Sequence, residues 1–418
     1  MKKQQNWAGN YTYSTTNWHE PESVEQVQQL VTSSNQLKVV GTRHSFNGIA
    51  DSTDTILSLR KLNKITELDR ERHLVTVEAG TRYSDLSMYL AKEGFALKNL
   101  ASLPHISVAG ACATATHGSG NDNSCLATAV HEMEVITADG ELVSFSRDHN
   151  YELMDGVVVN LGGLGIVTSL TLEIVPAFEM KQFVYEHIPF IEYKEHFNKI
   201  FSSAYSVSSF TNWCDETFQQ VWQKHYITDH ESHEPAQTLF GASLAKETLH
   251  PVGVDSVNCT EQVGVPGPWY ERLPHFRMGF TPSTGEELQS EYIMSREHGY
   301  DAFCAIREIR KQLESVLLVS EVRTVAEDKL WMSPFYKQDS VAIHFTWKRD
   351  WPLVKEVLPI LEKQLEPFHA RPHWGKLFTM SAEQIQSRFE RLQDFKQLLT
   401  HYDPNGKFRN QFLDSILM

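Results

Sequence analysis

The chain has 418 residues, with 38 Lys and Arg against 53 Asp and Glu, giving a formal net charge of −15. At 41% hydrophobic and 22% charged residues it has an ordinary globular composition, and it is long enough to bury a core without disulfide or metal staples. The acidic balance excludes a general binder of nucleic acid or anionic membranes, and no run approaches the roughly 18 apolar residues of a spanning helix. The start, Met1-Lys2-Lys3-Gln4-Gln5, has no apolar run after its lysines, so no signal peptide is expected. Five widely spaced cysteines with no Cys-x-x-Cys pair (Cys112, Cys125, Cys214, Cys259 and Cys304) point to a reducing, cytoplasmic setting.

Strand and helix signals alternate in the first third. Pro21 is expected to open a helix with Val24, Val27, Leu30 and Val31 inward. Strands follow at Leu37–Val40, Thr55–Leu59 and Leu74–Glu78. A helix with Leu86, Tyr89 and Leu90 inward closes at Gly94. Ala138-Asp139-Gly140 reads as a hairpin turn between Met133–Thr137 and Leu142–Phe145. A half-buried strand runs from Ile166 to Val175, and Pro176 marks a boundary. Beyond it, Tyr193, Phe197, Ile200 and Phe201 mark an amphipathic helix, 206–228 read as aromatic-rich strands, and 229–285 as long loops. One helix is expected with Phe303, Ile306, Ile309 and Leu313 inward, then strands Val316–Val325 and Ser340–Trp347, then a helix over Pro352–Leu365. The mixture predicts an α+β fold with an antiparallel sheet in its second part.

Three glycine-rich segments stand out. Gly41-Thr42-Arg43-His44-Ser45-Phe46-Asn47-Gly48 follows a strand and can expose N–H groups to a pyrophosphate, although its residue types also suit an ordinary turn. Ser102-Leu103-Pro104-His105-Ile106-Ser107-Val108-Ala109-Gly110-Ala111, continuing through Ala113 to Gly120, is dominated by small residues that let a backbone approach a ligand or another surface closely. Asn160-Leu161-Gly162-Gly163-Leu164-Gly165-Ile166-Val167-Thr168 is the third. None is a Gly-x-Gly-x-x-Gly fingerprint or a P-loop. On Val316–Val325 a period of two puts Leu317, Val319, Glu321, Arg323 and Val325 on one face. On Ser340–Trp347, Ala342, His344 and Thr346 share one face and Val341, Ile343, Phe345 and Trp347 the other. Paired on one side, Glu321, Arg323, His344 and Thr346 would form a polar floor; alternatively the first two form a structural salt bridge.

The order Gly-x-x-His-Ser, then Ser-x-Pro-His-x-Ser-Val-Ala-Gly and Thr-His-Gly, then Gly-Gly-Leu-Gly-Ile-Val-Thr resembles the flavin domain of the vanillyl-alcohol oxidase superfamily. Together with Asp403-Pro404-Asn405-Gly406-Lys407-Phe408, the chain is most similar to the sugar-alcohol (alditol or xylitol) oxidases, relatives of the aldonolactone oxidases. The resemblance implies an FAD-binding domain over residues 1–176, completed by about 376–418, with a substrate cap over 177–375. It implies a covalent flavin link at His44 and pyrophosphate contacts along Val39, Val40, Gly41, Thr42, Arg43, His44 and Ser45. Further FAD contacts fall on Ser107, Gly110, Thr114, Ala115, Thr116, His117 and His373, with Ile166 and Val167 near the adenine.

Ser102, Glu321, Arg323, Thr346 and Lys376 would bind a polyol. Arg323, Lys376 and His344 would serve catalysis, the two cations at the developing alkoxide and either Lys376 or His344 as base. Many relatives carry glycine where Arg43 and Ala115 stand, so a positive φ there would be strained. The implied reaction oxidises a sugar alcohol to the aldose and reduces dioxygen to hydrogen peroxide, in a protein for which a monomer is consistent. The alternatives are an aldonolactone oxidase or dehydrogenase on the same scaffold and a non-catalytic carbohydrate-binding protein.

Overall fold

In the computed structural model, which describes residues 3–149, 151–227, 235–280 and 286–418, the N-terminal third folds around two sheets. The first is parallel, in the order Trp18–His19, Thr55–Ser58, Leu37–Val40. The second is antiparallel, in the order Ile65–Asp69, Leu74–Glu78, Ile166–Glu173, Val130–Ile136, Leu142–Ser146. Alternation builds it: Ile166, Thr168, Leu170 and Leu172 are buried while the residues between them are half-buried. At the hairpin, Gly140 takes φ +90° and Ile136 faces Leu142. The first helix spans Val24–Ser33 rather than opening at Pro21. The Ser23 side chain accepts the Gln26 N–H, and this hydroxyl cap fixes the start three residues later. The helix Tyr83–Lys92 buries Leu86 and Leu90, and Gly94 follows it at φ +83°.

The second part is organised on one large sheet. Its central strands run, all antiparallel, in the order Glu179–Pro189, Thr217–Tyr226, Ser206–Thr211, Leu317–Val325, Ser340–Lys348, Glu287–Ser295. The strand Glu287–Ser295 is absent from the sequence reading, yet it pairs with Ser340–Lys348 along its whole length. A bulge between Leu317 and Val319 places Leu317 opposite Trp347, so Leu317 leaves the face that carries Val319, Glu321 and Arg323. On the aromatic face, Phe345 and Trp347 stack at 5.2 Å, and Trp213 bridges Phe345 to Phe303. The expected helix through Phe303 and Leu313 is two helices, Gly299–Glu308 and Arg310–Glu314. The break at Ile309 keeps all four apolar side chains buried.

The expected loop region contributes short strands, Thr238–Leu239, Ala242–Leu244 and Gly267–Pro268, that extend the sheet. Of the sequence readings, Met1, Lys2, 228–234 and 281–285 lie outside the described residues. The C-terminal segment returns to the parallel sheet. Asp403 accepts the N–H groups of Lys407 and Phe408 at 2.7 and 2.8 Å, and the Lys407 carbonyl accepts the Leu37 N–H at 2.9 Å. Among the described residues, no helix is long and apolar enough to cross a membrane.

Candidate active site

Two adjoining cavities of about 500 and 370 Å³ share Val40, Gly41, Thr42, Arg43, Ser107 and Gly110. The smaller is lined by Val39, Ile166 and Val167; the larger by His44, Ser45, Thr114, Thr116, His117 and His373. The three glycine-rich segments thus meet along one trough. Ala115 alone of these residues lines neither cavity. It is fully buried and turns the chain at φ +52°.

The trough's first wall is made of backbone. Thr42, Arg43, His44 and Ser45 follow the end of the strand Leu37–Val40, and among the described residues none of their N–H groups donates to a protein acceptor. Arg43 sits at φ +59°, the strained conformation for a non-glycine residue, and this curls the loop into a concave row of donors. Its guanidinium donates to Gln4 Oε1 and the Gln5 carbonyl, and its own carbonyl accepts the Trp7 N–H. Close approach requires glycine opposite: a Cβ on Gly41 would lie 2.1 Å from Ser107 Oγ, and one on Gly110 2.8 Å from the same atom. Unpaired amides in a narrow trough fit the diphosphate of FAD. His44 stands where this wall enters the larger cavity, its ring 4.2 Å from that of Trp7 and its Nδ1 3.3 Å from His105 Nε2. Burial, His105 and Lys376 push its pKa down to about 3, so the ring is neutral and keeps a nucleophilic lone pair.

The second wall is made of side chains from distant strands. Glu321 is directly opposite His344, and Val319 opposite Thr346, so the expected polar floor forms on one face. Arg323 Nε lies 3.3 Å from Glu321 Oε1, and Nη1 donates to Ser102 Oγ at 3.4 Å. Lys376 Nζ donates to His344 Nδ1 at 2.8 Å, and His344 Nε2 lies 3.2 Å from Thr346 Oγ1. All six residues expected to bind or turn over substrate line the larger cavity.

Sequence reasoning missed the residue that joins them. Glu291, fully buried on Glu287–Ser295, accepts Arg323 Nη2 on Oε1 at 3.0 Å and Lys376 Nζ on Oε2 at 2.6 Å. His117 Nε2 lies 3.2 Å from Oε1. The alternation Glu287, Gln289, Glu291 against Leu288, Ser290, Tyr292 is the signal that could have found it. His275 was missed too; its Nε2 lies 2.7 Å from Glu321 Oε1.

Burial would raise the Glu291 pKa, but Lys376, His117 and Arg323 outweigh it and hold the carboxyl well below the usual range. Glu321 is likewise held low against burial by Arg323 and His275. Burial lowers the Lys376 pKa, partly opposed by Glu291. His344 is pushed down to about 3 by burial and Lys376. The cluster therefore sets two carboxylates against two cations, with neutral imidazoles between them. Such a balanced site suits a neutral, polyhydroxylated ligand better than an anion.

Residues 18–146 match the family model for an FAD binding domain, and 283–416 the model for D-arabinono-1,4-lactone oxidase. The chain is 45% identical to an alditol oxidase of Streptomyces sp., over 99% of this chain and 98% of the relative. It is 27% identical to L-gulonolactone oxidase of Scyliorhinus torazame, over 98% and 97%. Its fold matches the crystal structure of cholesterol oxidase from B. sterolicum with a TM-score of 0.81 at 15% identity, covering 100% of this chain and 96% of that one.

Proposed function

Because the chain belongs to the family of FAD-dependent alditol and aldonolactone oxidases, we propose that it oxidises the terminal hydroxyl of a sugar alcohol such as xylitol or sorbitol to the aldose, reducing dioxygen to hydrogen peroxide. The observation that carries this reading is the charge-balanced cluster of Glu321, Arg323, Lys376 and Glu291 facing the cavity beside Ser102 and Thr346.

FAD, when bound, supplies the hydride acceptor and the carrier of two electrons to dioxygen. The amides of Thr42 to Ser45 would hold its diphosphate, Ile166 and Val167 would flank the adenine side, and neutral His44 would be the point of covalent attachment. Glu321 accepts a hydrogen bond from one substrate hydroxyl, and Ser102 and Thr346 meet others. Arg323 and Lys376 stabilise the alkoxide as the reacting hydroxyl loses its proton. The hydrogen bond from Lys376 to His344 offers that proton a path away from the substrate oxygen. His373 closes the cavity beside Gly375, whose N–H it accepts on Nδ1 at 3.1 Å.

The FAD-binding unit comprises residues 1–176 and about 376–418, and the cap 177–375. This division is supported by the five-stranded sheet ending at Glu173 and the large sheet beginning at Glu179. A reducing, cytoplasmic setting is supported by five unpaired cysteines. Aldonolactone oxidation is the second reading, favoured by the match over 283–416. A panel of alditols, aldonolactones and 2-hydroxy acids assayed for peroxide separates the two. The proposal expects turnover of xylitol or sorbitol well above that of lactones, lactate or glycolate; lactone turnover exceeding that of every alditol would replace it with the second reading.

A further inference from the structure

Glu321 shows an asymmetry between its two oxygens. Oε1 accepts from His275 Nε2 at 2.7 Å and lies 3.3 Å from Arg323 Nε. Oε2 receives no donor among the described residues, and Glu321 lines the cavity. The other ring nitrogen of His275, Nδ1, lies 3.1 Å from the Nζ of Lys224, a fully buried lysine on Thr217–Tyr226 that also donates to the Leu273 carbonyl.

A carboxylate only accepts, so Glu321 demands the proton on His275 Nε2. The lone pair left on Nδ1 then accepts from Lys224, whose pKa burial lowers to about 7 and which can donate either as ammonium or as amine. Burial and Lys224 push the His275 pKa down to about 4, so the ring stays neutral. Its position is fixed as well: it lies 5.1 Å from the Trp222 ring and 5.7 Å from Phe210, and its carbonyl accepts the Thr260 N–H at 2.9 Å. Arg323 already compensates the charge of Glu321. The neutral His275 adds no counter-charge; what it adds is the choice of which carboxylate oxygen is engaged.

We propose that His275, backed at Nδ1 by Lys224, is a positioning residue that turns Glu321 Oε2 toward the substrate and thereby sets recognition of a polyol hydroxyl. The proposal rests on the reading of Glu321 as the hydroxyl acceptor. Neither His275 nor Lys224 takes part in the transfer of hydride or proton.

The test compares His275→Asn with His275→Gln in the flavin-loaded enzyme. Asn can still accept from Lys224 but no longer reaches Glu321, whereas Gln keeps a donor near the position of Nε2. Anaerobic flavin reduction at varied xylitol concentration gives the substrate Kd and the limiting rate separately. Expected is a rise in Kd of about ten-fold for His275→Asn and less than about three-fold for His275→Gln, with limiting rates near wild type in both. Equal losses in both variants, or losses confined to flavin content or limiting rate, would indicate a structural role and overturn the proposal. Glu321→Gln is measured alongside. If it raises the Kd while His275→Asn does not, only the positioning role falls; if it leaves the Kd unchanged, the Glu321 reading falls and takes the proposal with it. Should His275→Asn not accumulate as a flavoprotein, His275→Gln decides: near-wild-type affinity supports the proposal, and a Kd as high as that of Glu321→Gln contradicts it.

Discussion

On one side of the cavity, Thr42 to Ser45 offer a row of backbone N–H groups; on the other, Glu291, Glu321, Arg323, His344 and Thr346 offer side chains from three strands. The first wall is local. A strand ends, a loop curls, and a small residue or glycine opposite lets it approach. The second wall is assembled by register, because its charges neutralise one another only when Glu287–Ser295, Leu317–Val325 and Ser340–Lys348 lie side by side. The backbone wall suits an invariant anionic group, and the side-chain wall suits discrimination among substrates. Changes on the first should alter cofactor retention, and changes on the second should alter rate and affinity with the cofactor in place.

The sharpest break on the backbone side is His44→Ala. Wild-type protein precipitated with acid should keep its yellow colour, whereas the variant's pellet should be colourless. A colourless wild-type pellet would remove the covalent link and leave FAD binding standing. On the other wall, Glu291→Gln removes the fully buried anion between Arg323 and Lys376. Breaking a buried pair in this way costs about 3–5 kcal/mol. Denaturant unfolding should show a loss of that order, and anaerobic reduction by xylitol should slow because Arg323 and Lys376 lose their anchor. Wild-type stability together with wild-type reduction would mean that the side-chain wall does not act as a unit.

The same contrast explains what could be read from sequence. The glycine-rich segments, the hairpin at Gly140 and the strand Leu37–Val40 depend on near neighbours, so their residues announce them. The face shared by Glu321, Arg323, His344 and Thr346 was also legible, because a period of two survives in each strand. Glu291 was less legible. The alternation of Glu287, Gln289 and Glu291 marks a strand with one polar face, but only the pairing with Ser340–Lys348 shows that this face is the site. His275 reaches Glu321 from an irregular segment, where no periodicity exists to reveal it. The bulge at Leu317/Val319 is likewise a property of the pair of strands, invisible in either alone.

A further effect, spread over both walls, comes from the buried histidines. His105 and His275 are pushed down to about 4 and His344 to about 3, and His117 and His373 are also lowered, in each case chiefly by burial. Folded pKa values below the ordinary value of ~6.5 mean that the unfolded chain binds more protons in acid. Their contribution to stability is therefore present above pH ~6.5 and is lost as pH falls toward the folded values, at up to ~1.4 kcal/mol per pH unit for each histidine. Urea midpoints of the flavin-loaded protein should drop steeply between pH 7 and 5; a flat profile over that range would show that these rings are not held neutral.

In this mechanism the side-chain wall stabilises the alkoxide of a sugar alcohol as hydride leaves its carbon. Anaerobic stopped-flow reduction of Lys376→Met by saturating xylitol tests it directly, because it isolates hydride transfer from reoxidation. Loss of one such donor costs about two to three orders of magnitude in turnover, so the variant should keep an intact flavin spectrum that bleaches at least ~100-fold more slowly than in wild type. Bleaching at the wild-type rate in a stable, flavin-loaded variant would contradict it.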